Sequence, residues 1–249
     1  METPCHSVPS VVSVFMSISA NLATLRERIE RAARRAGRSP SEVALMGVTK
    51  MHPPELIREA YTAGLCLFGE NRVQEFATKS PHVADLNQAE WHMIGHLQTN
   101  KASKAVELFA TVDSVDSVKL AEKLNASARK LNKKLPLLIE INVGGESAKT
   151  GVEPESEEFE KLLQSASRLE ALEFRGLMTV PPFTNDPEDA RPFFRELQEL
   201  RDAISARNLP AIRMDVLSMG MSHDFEVAIE EGSTWVRVGT AIFGKRSKA

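Results

Sequence analysis

Cysteine is nearly absent from this chain: Cys5 and Cys66 are the only two among 249 residues. Two thiols cannot build a disulfide framework, so a reducing, cytoplasmic setting is expected. A dominant charge is lacking too. The 31 Lys+Arg against 34 Asp+Glu leave a formal net charge of −3, which gives no pull toward nucleic acid or an anionic membrane. No run reaches the roughly 18 apolar residues of a membrane-spanning helix. The one apolar stretch near the start, Val8 to Ile18, is broken by Pro9, Ser10, Ser13 and Ser17. It also lacks the leading positive charge of a secretory signal. Tyrosine occurs once, as Tyr61. What remains, 42% hydrophobic and 26% charged residues, is ordinary globular composition and excludes intrinsic disorder.

Residues 1–17 carry no helical pattern and are expected to form a disordered extension, with Met16 as an alternative natural start. The folded unit is expected over residues 18–249. Within Ser19 to Gly37, the residues Leu22, Leu25, Ile29, Ala32 and Ala36 recur at spacings of three and four, which makes one apolar helix stripe ending at Gly37. The other faces carry Arg26, Arg28, Arg31, Arg34, Arg35 and Arg38. They read as a solvated face rather than an RNA or lipid contact.

After Pro40 short apolar runs alternate with helical stretches. The runs are Val43–Thr49, Leu65–Phe68, Trp91–Ile94, Thr111–Val115, Leu137–Val143, Phe174–Met178, Met214–Met219 and Thr234–Val238. Helices are expected between them, including one from about Asn71 to Leu86 and a short one around Phe225–Glu231. Eight such units in about 210 residues fit an α/β fold of the (β/α)8 TIM-barrel type, a single domain with an extra N-terminal helix. No G-x-G-x-x-G follows the first strand, so the dinucleotide signal is missing.

Barrels of this kind place chemistry at the C-terminal strand ends. Those ends hold one lysine, Lys50, and two loops of small residues, Ser218-Met219-Gly220-Met221-Ser222 and Gly239-Thr240. The loops lie after strands seven and eight, where barrels commonly hold phosphate. Glycine lets the backbone approach an anion, the hydroxyls of Ser218, Ser222 and Thr240 donate, and helix starts near Ser222 and Thr240 would add free amides. Tight barrel turns explain either loop alone equally well. A neutral lysine amine attacks aldehydes. Lysine facing a phosphate cradle is the arrangement that pyridoxal 5′-phosphate (PLP) requires.

The segments Gly47-Val48-Thr49-Lys50, Gly69-Glu70-Asn71-Arg72-Val73-Gln74-Glu75 and Trp91 through Lys101 resemble the pyridoxal phosphate homeostasis protein family. So do Ser218 through Ser222 and Val236 through Gly244, and the likeness runs over about residues 20–246. Members share the barrel domain of alanine racemase and lack its second, β-rich domain. The resemblance implies PLP held as a covalent aldimine on Lys50. It further implies cofactor contacts from Asn71, Ser218, Met219, Gly220, Ser222, Gly239 and Thr240, with Arg237 facing the pyridine nitrogen. Two positions depart from the family pattern: Arg72 stands where many relatives have tyrosine, and the loop Asn142 through Glu146 has glycine where serine is frequent.

An arginine donor would leave the pyridine nitrogen unprotonated and the ring a weaker electron sink. Alanine racemases add a tyrosine base from their second domain, but Tyr61 lies in a helix facing away from the mouth. Among other bases, His96, Lys101 and Lys149 come into question, and His96 reads better as a loop-orienting residue. A metal on His92 and His96 is not expected, because His92 sits in a strand and no nearby cysteine or carboxylate completes a site. Gly239 to Lys245 has P-loop spacing, but Arg246 replaces the required Ser/Thr.

The expected function is intracellular PLP homeostasis and delivery, and through it amino-acid and keto-acid balance, with little or no catalysis. Apo PLP-dependent enzymes are the expected recipients, neither nucleic acid nor membrane is a partner, and a monomer is expected. A PLP-dependent amino-acid racemase on the same barrel is the alternative, and a regulatory role through the basic helix is a third reading.

Overall fold

The computed structural model describes residues 17–145 and 150–244. The expected extension through Met16, and also Lys149, Lys245 and Arg246, therefore lie outside the described residues. Eight parallel strands close in chain order into a barrel. They are β1 (Ala44–Val48), β2 (Leu67–Glu70), β3 (Glu90–Met93), β4 (Thr111–Val115), β5 (Leu135–Glu140), β6 (Leu172–Met178), β7 (Ile212–Ser218) and β8 (Trp235–Val238). The seam joins first strand to last, with Ala44 opposite Trp235 and Gly47 opposite Val238. Around the barrel run α1 (Ile18–Arg35), α2 (Pro54–Thr62), α3 (Val73–Lys79), α4 (Ala102–Leu108), α5 (Val118–Lys130), α6 (Glu157–Ser165), α7 (Arg191–Ala206), α8 (Phe225–Glu230) and α9 (Thr240–Phe243).

Some boundaries differ from the sequence pattern. The helix expected from Asn71 to Leu86 is only α3 followed by a 3-10 turn at Ser80–His82. Pro81 has no N–H to continue the ladder, so the helix stops there. Strand β5 ends at Glu140, and beyond it Ile141 makes only an isolated bridge to Val152.

Period-two alternation gives each strand two destinations. Phe68, Leu137, Ile139, Phe174, Leu217, Val236 and Val238 belong to the large cluster shared with the helices. Leu138, Met178 and Val216 form a separate cluster with Trp235, inside the barrel. The same inward positions carry His92, Asp113, Glu140, Ser218 and Arg237, all buried. A ring of buried charge is costly unless paired, so its pairing decides what the barrel end can do.

Helix α1 begins at the cap Ser17, whose Oγ accepts from the Ala20 amide at 3.2 Å. Its buried stripe is Leu22, Leu25, Ile29 and Ala32. The arginine face is not simply solvated. Arg28 pairs with Glu226 at 3.2 Å and Arg35 with Glu230 at 2.9 Å. Arg38 donates to the carbonyls of Ile229 and Ser233, both at 2.8 Å. Arg26 donates to the Gly64 carbonyl at 2.9 Å, and Asn21 reaches the Ile242 carbonyl at 2.9 Å. The helix therefore ties α2, α8 and α9 together, and those are the helices that follow β1, β7 and β8.

Candidate functional site

Lys50 stands two residues beyond Val48, which with Met46 is buried outside the helix-facing cluster. Alternation carried one step further puts Lys50 on the lumen side of the mouth, and its side chain is half-buried. Thr49 takes the opposite side and is fully buried. Its Oγ1 donates to Glu70 Oε1 at 2.7 Å. Lys79 of α3 donates to the Thr49 carbonyl at 2.8 Å and to Glu70 Oε1 at 2.9 Å. Burial pushes the Glu70 carboxyl up, against the pull of Lys79 and Thr49. Its second oxygen has no hydrogen-bond partner.

The loop after β8 adjoins β1 at the seam, and the loop after β7 lies one strand further round the mouth. Gly220 has φ +92°, and a Cβ there would stand 2.5 Å from Ala228 Cβ. Only glycine fits both the left-handed backbone and that contact. The Arg237 amide donates to the Gly220 carbonyl at 3.0 Å, tying the loop after β7 to strand β8. Among the described residues nothing accepts from the amides of Gly220 and Ser222. Thr240 and Ala241 open α9, so their amides lie outside the intrahelical ladder. Gly239 lies against β1, where an added Cβ would be 3.4 Å from the Val48 carbonyl oxygen. The small-residue rim thus abuts the strand that carries Lys50.

One expected contribution is missing. Helix α8 begins at Phe225, not near Ser222, and Asp224 intervenes. The Asp224 carboxylate accepts from the Met221 amide at 2.6 Å, so that amide is occupied. Burial pushes the Asp224 carboxyl up, the response of an acid held in a dry turn.

Arg237 is 4% exposed and lies beneath the rim. It donates through Nη1 to Ser218 Oγ and through Nη2 to the Thr179 carbonyl, both at 2.6 Å. Burial weakens its hold on a proton, and Asp113, Glu140 and Asp224 offset that only in part. Ser218 is therefore Arg237's anchor. Met219 packs into the helix-facing core, its amide donates to the Trp235 carbonyl, and its carbonyl accepts from Ser233 Oγ at 2.8 Å. Asn71 follows β2 beside Lys50, and the close approach of Gly95 holds it: a Cβ on Gly95 would fall 2.4 Å from the Asn71 carbonyl oxygen. A cavity of about 260 Å³ adjoins it, lined by Arg72, Gln74, His96, Gln98 and Lys101 among others. Lys50, Asn71, Gly220, Ser222, Gly239 and Thr240 thus share the mouth, with Ser218, Met219 and Arg237 supporting it from below.

Sequence spacing missed the partner of His92. A carboxylate does stand beside it: His92 Nδ1 lies 3.0 Å from Asp113 Oδ2 on the neighbouring strand. Burial alone would lower the imidazole pKa, but Asp113, helped by Glu90, pushes it up to about 9. Trp235 meets the ring edge-on at 5.0 Å between centroids, across the barrel. Two residues do not form a metal site, and no metal-holding group of His, Cys, Asp and Glu occurs among the described residues. His96 Nδ1 lies 3.3 Å from Asp116 Oδ2 on the mouth loops. The Tyr61 hydroxyl accepts from the Gln88 amide at 3.3 Å, at the strand-entry end of the barrel. Inward charge at strand positions 92, 113, 140 and 237 was the available signal for the buried network. Lys79 on the buried α3 stripe with Val73 and Phe76 was the signal for the clamp behind Thr49.

No helix among the described residues is long and apolar enough to cross a membrane. Residues 20–247 match the family described as alanine racemase, N-terminal domain. The pyridoxal phosphate homeostasis protein of Aquifex aeolicus is 47% identical over 93% of this chain and 99% of its own length. The protein of that name from Escherichia coli K12 is 39% identical over 92% and 97%. PipY of Synechococcus elongatus, solved with PLP bound, superposes with a TM-score of 0.79 at 38% identity, over 92% of this chain and 100% of that one. An alanine racemase from Clostridium difficile shares the fold alone, at 15% identity, a TM-score of 0.66 and 57% coverage of that longer chain. A closed parallel barrel with a lysine and two small-residue loops at its mouth, matched over more than nine-tenths of the chain by the curated relatives, makes this chain a member of the pyridoxal phosphate homeostasis protein family.

Proposed function

We propose that this protein holds PLP as a Schiff base on Lys50, releases it to apo PLP-dependent enzymes, and so buffers the cofactor and with it amino-acid and keto-acid balance. The observation that carries the reading is the seam. Gly239 lies against Val48, which puts the open amides of Thr240 and Ala241 one strand away from Lys50. The residues fit an aldehyde that carries a phosphate. The cradle amides and the Ser222 and Thr240 hydroxyls would take the phosphate, Asn71 would flank the ring, and Arg237 would face its nitrogen. When bound, PLP supplies an electrophilic aldehyde on an electron-withdrawing ring. Arg237 has donors only, so it leaves that nitrogen unprotonated and disfavours carbanion chemistry. Cytoplasmic residence and a monomeric state belong to the same reading.

Purified protein is to be scanned in the visible before and after borohydride, and the labelled peptide mapped. A label on Lys50 supports the reading, and a Lys50→Ala protein that still forms a stable Schiff base refutes it. Release without chemistry is tested by incubating the loaded protein with L- and D-amino acids in D2O. Substantial α-proton exchange would favour a racemase instead. That alternative needs a base other than Tyr61, whose hydroxyl is at the far end of the barrel.

A further inference from the structure

The turn that carries Lys50 is held from behind by a set of buried ionic contacts that nothing at the mouth requires. Lys79 is 8% exposed on α3, in line with the core residues Val73 and Phe76. Its amine makes three contacts: the Thr49 carbonyl at 2.8 Å, Glu70 Oε1 at 2.9 Å and Glu75 Oε1 at 2.6 Å. An ammonium has three donors, and each has an acceptor here. The acceptors lead back to both neighbours of Lys50. Glu70 also takes the Thr49 hydroxyl at 2.7 Å, and Glu75 Oε1 also takes the Met51 amide at 2.5 Å. Met51 is held at φ +60°, a conformation that a non-glycine residue adopts only when its surroundings enforce it.

Burying an ion triad contributes little net stability, since desolvation offsets the attraction. Its geometric effect is larger. The residues before and after Lys50 are fixed through backbone groups to one ammonium, so the Lys50 Cα is fixed between them. A reacting amine misplaced by about 1 Å can lose on the order of a hundredfold in rate. We propose that Lys79 is a positioning residue for Lys50: through Thr49, Glu70, Glu75 and Met51 it sets the angle at which the Lys50 amine meets the cofactor aldehyde. This rests on the reading that Lys50 carries the Schiff base.

The test uses Lys79→Met, Glu75→Ala and the conservative Glu75→Gln, whose side-chain oxygen still accepts from Met51. Each folded variant is mixed with saturating PLP, quenched with borohydride at successive times after mixing, and the Lys50 peptide quantified, with circular dichroism and PLP dissociation constants measured alongside. Lys79→Met and Glu75→Ala are expected to trap at Lys50 at least about tenfold slower at saturation, with Glu75→Gln within about threefold of the parent. If Lys79→Met does not fold, the half-buried and surface-accessible Glu75→Ala decides. Folded Lys79→Met or Glu75→Ala protein that labels Lys50 at the parental rate overturns the proposal. Failure of the underlying reading looks different: the unmutated protein would then carry no label on Lys50.

Discussion

At the scale of single residues, the His92–Asp113 pair makes stability depend on pH. The folded imidazole is raised from 6.5 to about 9. Its contribution is therefore complete below about pH 6.5 and is lost as pH rises through about 9. A shift of that size corresponds to roughly 3 kcal/mol. Urea unfolding between pH 6 and 10, conditions chosen to bracket about pH 9, should show this decline in the parent and a flat profile in His92→Gln. Glu140 shifts in the same direction, so its ionisation also costs stability as pH rises. Burial pushes its carboxyl up, Thr150 opposes with a 2.7 Å hydrogen bond, and Oε2 has no partner. Removing the charge while keeping the Thr150 acceptor should relieve the buried anion, so Glu140→Gln is expected to gain up to about 1 kcal/mol at neutral pH. A lower melting temperature for that variant would mean that Glu140 is needed as Arg237's counter-charge.

At the scale of elements, the β7–α8 turn and helix α1 bear on the site most directly. Gly220→Ala places a methyl 2.5 Å from Ala228 Cβ on a backbone at φ +92°. The variant should lose about 1–3 kcal/mol and weaken phosphate affinity, because the turn cannot keep its open amides in place. Isothermal titration with PLP and thermal melts would separate the two effects. Arg38→Ala strips the donor from two carbonyls at once, Ile229 and Ser233. About 1–3 kcal/mol should be lost, with α8 showing faster hydrogen exchange. The elements themselves were largely legible from sequence, since period-two and period-3.6 apolar patterns are local properties. Ends were less so: Pro81 shortened α3 and Asp224 took the place of a helix start at Ser222. Lys50 and the glycines could be picked out because they sit at strand ends whatever the register. The links from Lys79 to Thr49, Asp113 to His92 and Arg237 to Thr179 depend on which strands face one another across the barrel or on how a helix lies over them, and no local spacing encodes that.

At the scale of the whole molecule, the mouth is assembled from both ends of the barrel order. Lys50 follows the first strand, Gly239 and Thr240 follow the last, and α1 is pinned to the helices on both sides of the join. A nascent chain that has not yet delivered β8 therefore has Lys50 and the Gly220 turn but neither the Gly239–Thr240 half of the rim nor Arg237. Under the proposed function, capture of the aldehyde waits until β8 has been made and the ring has shut, so a copy still lacking β8 does not sequester cofactor.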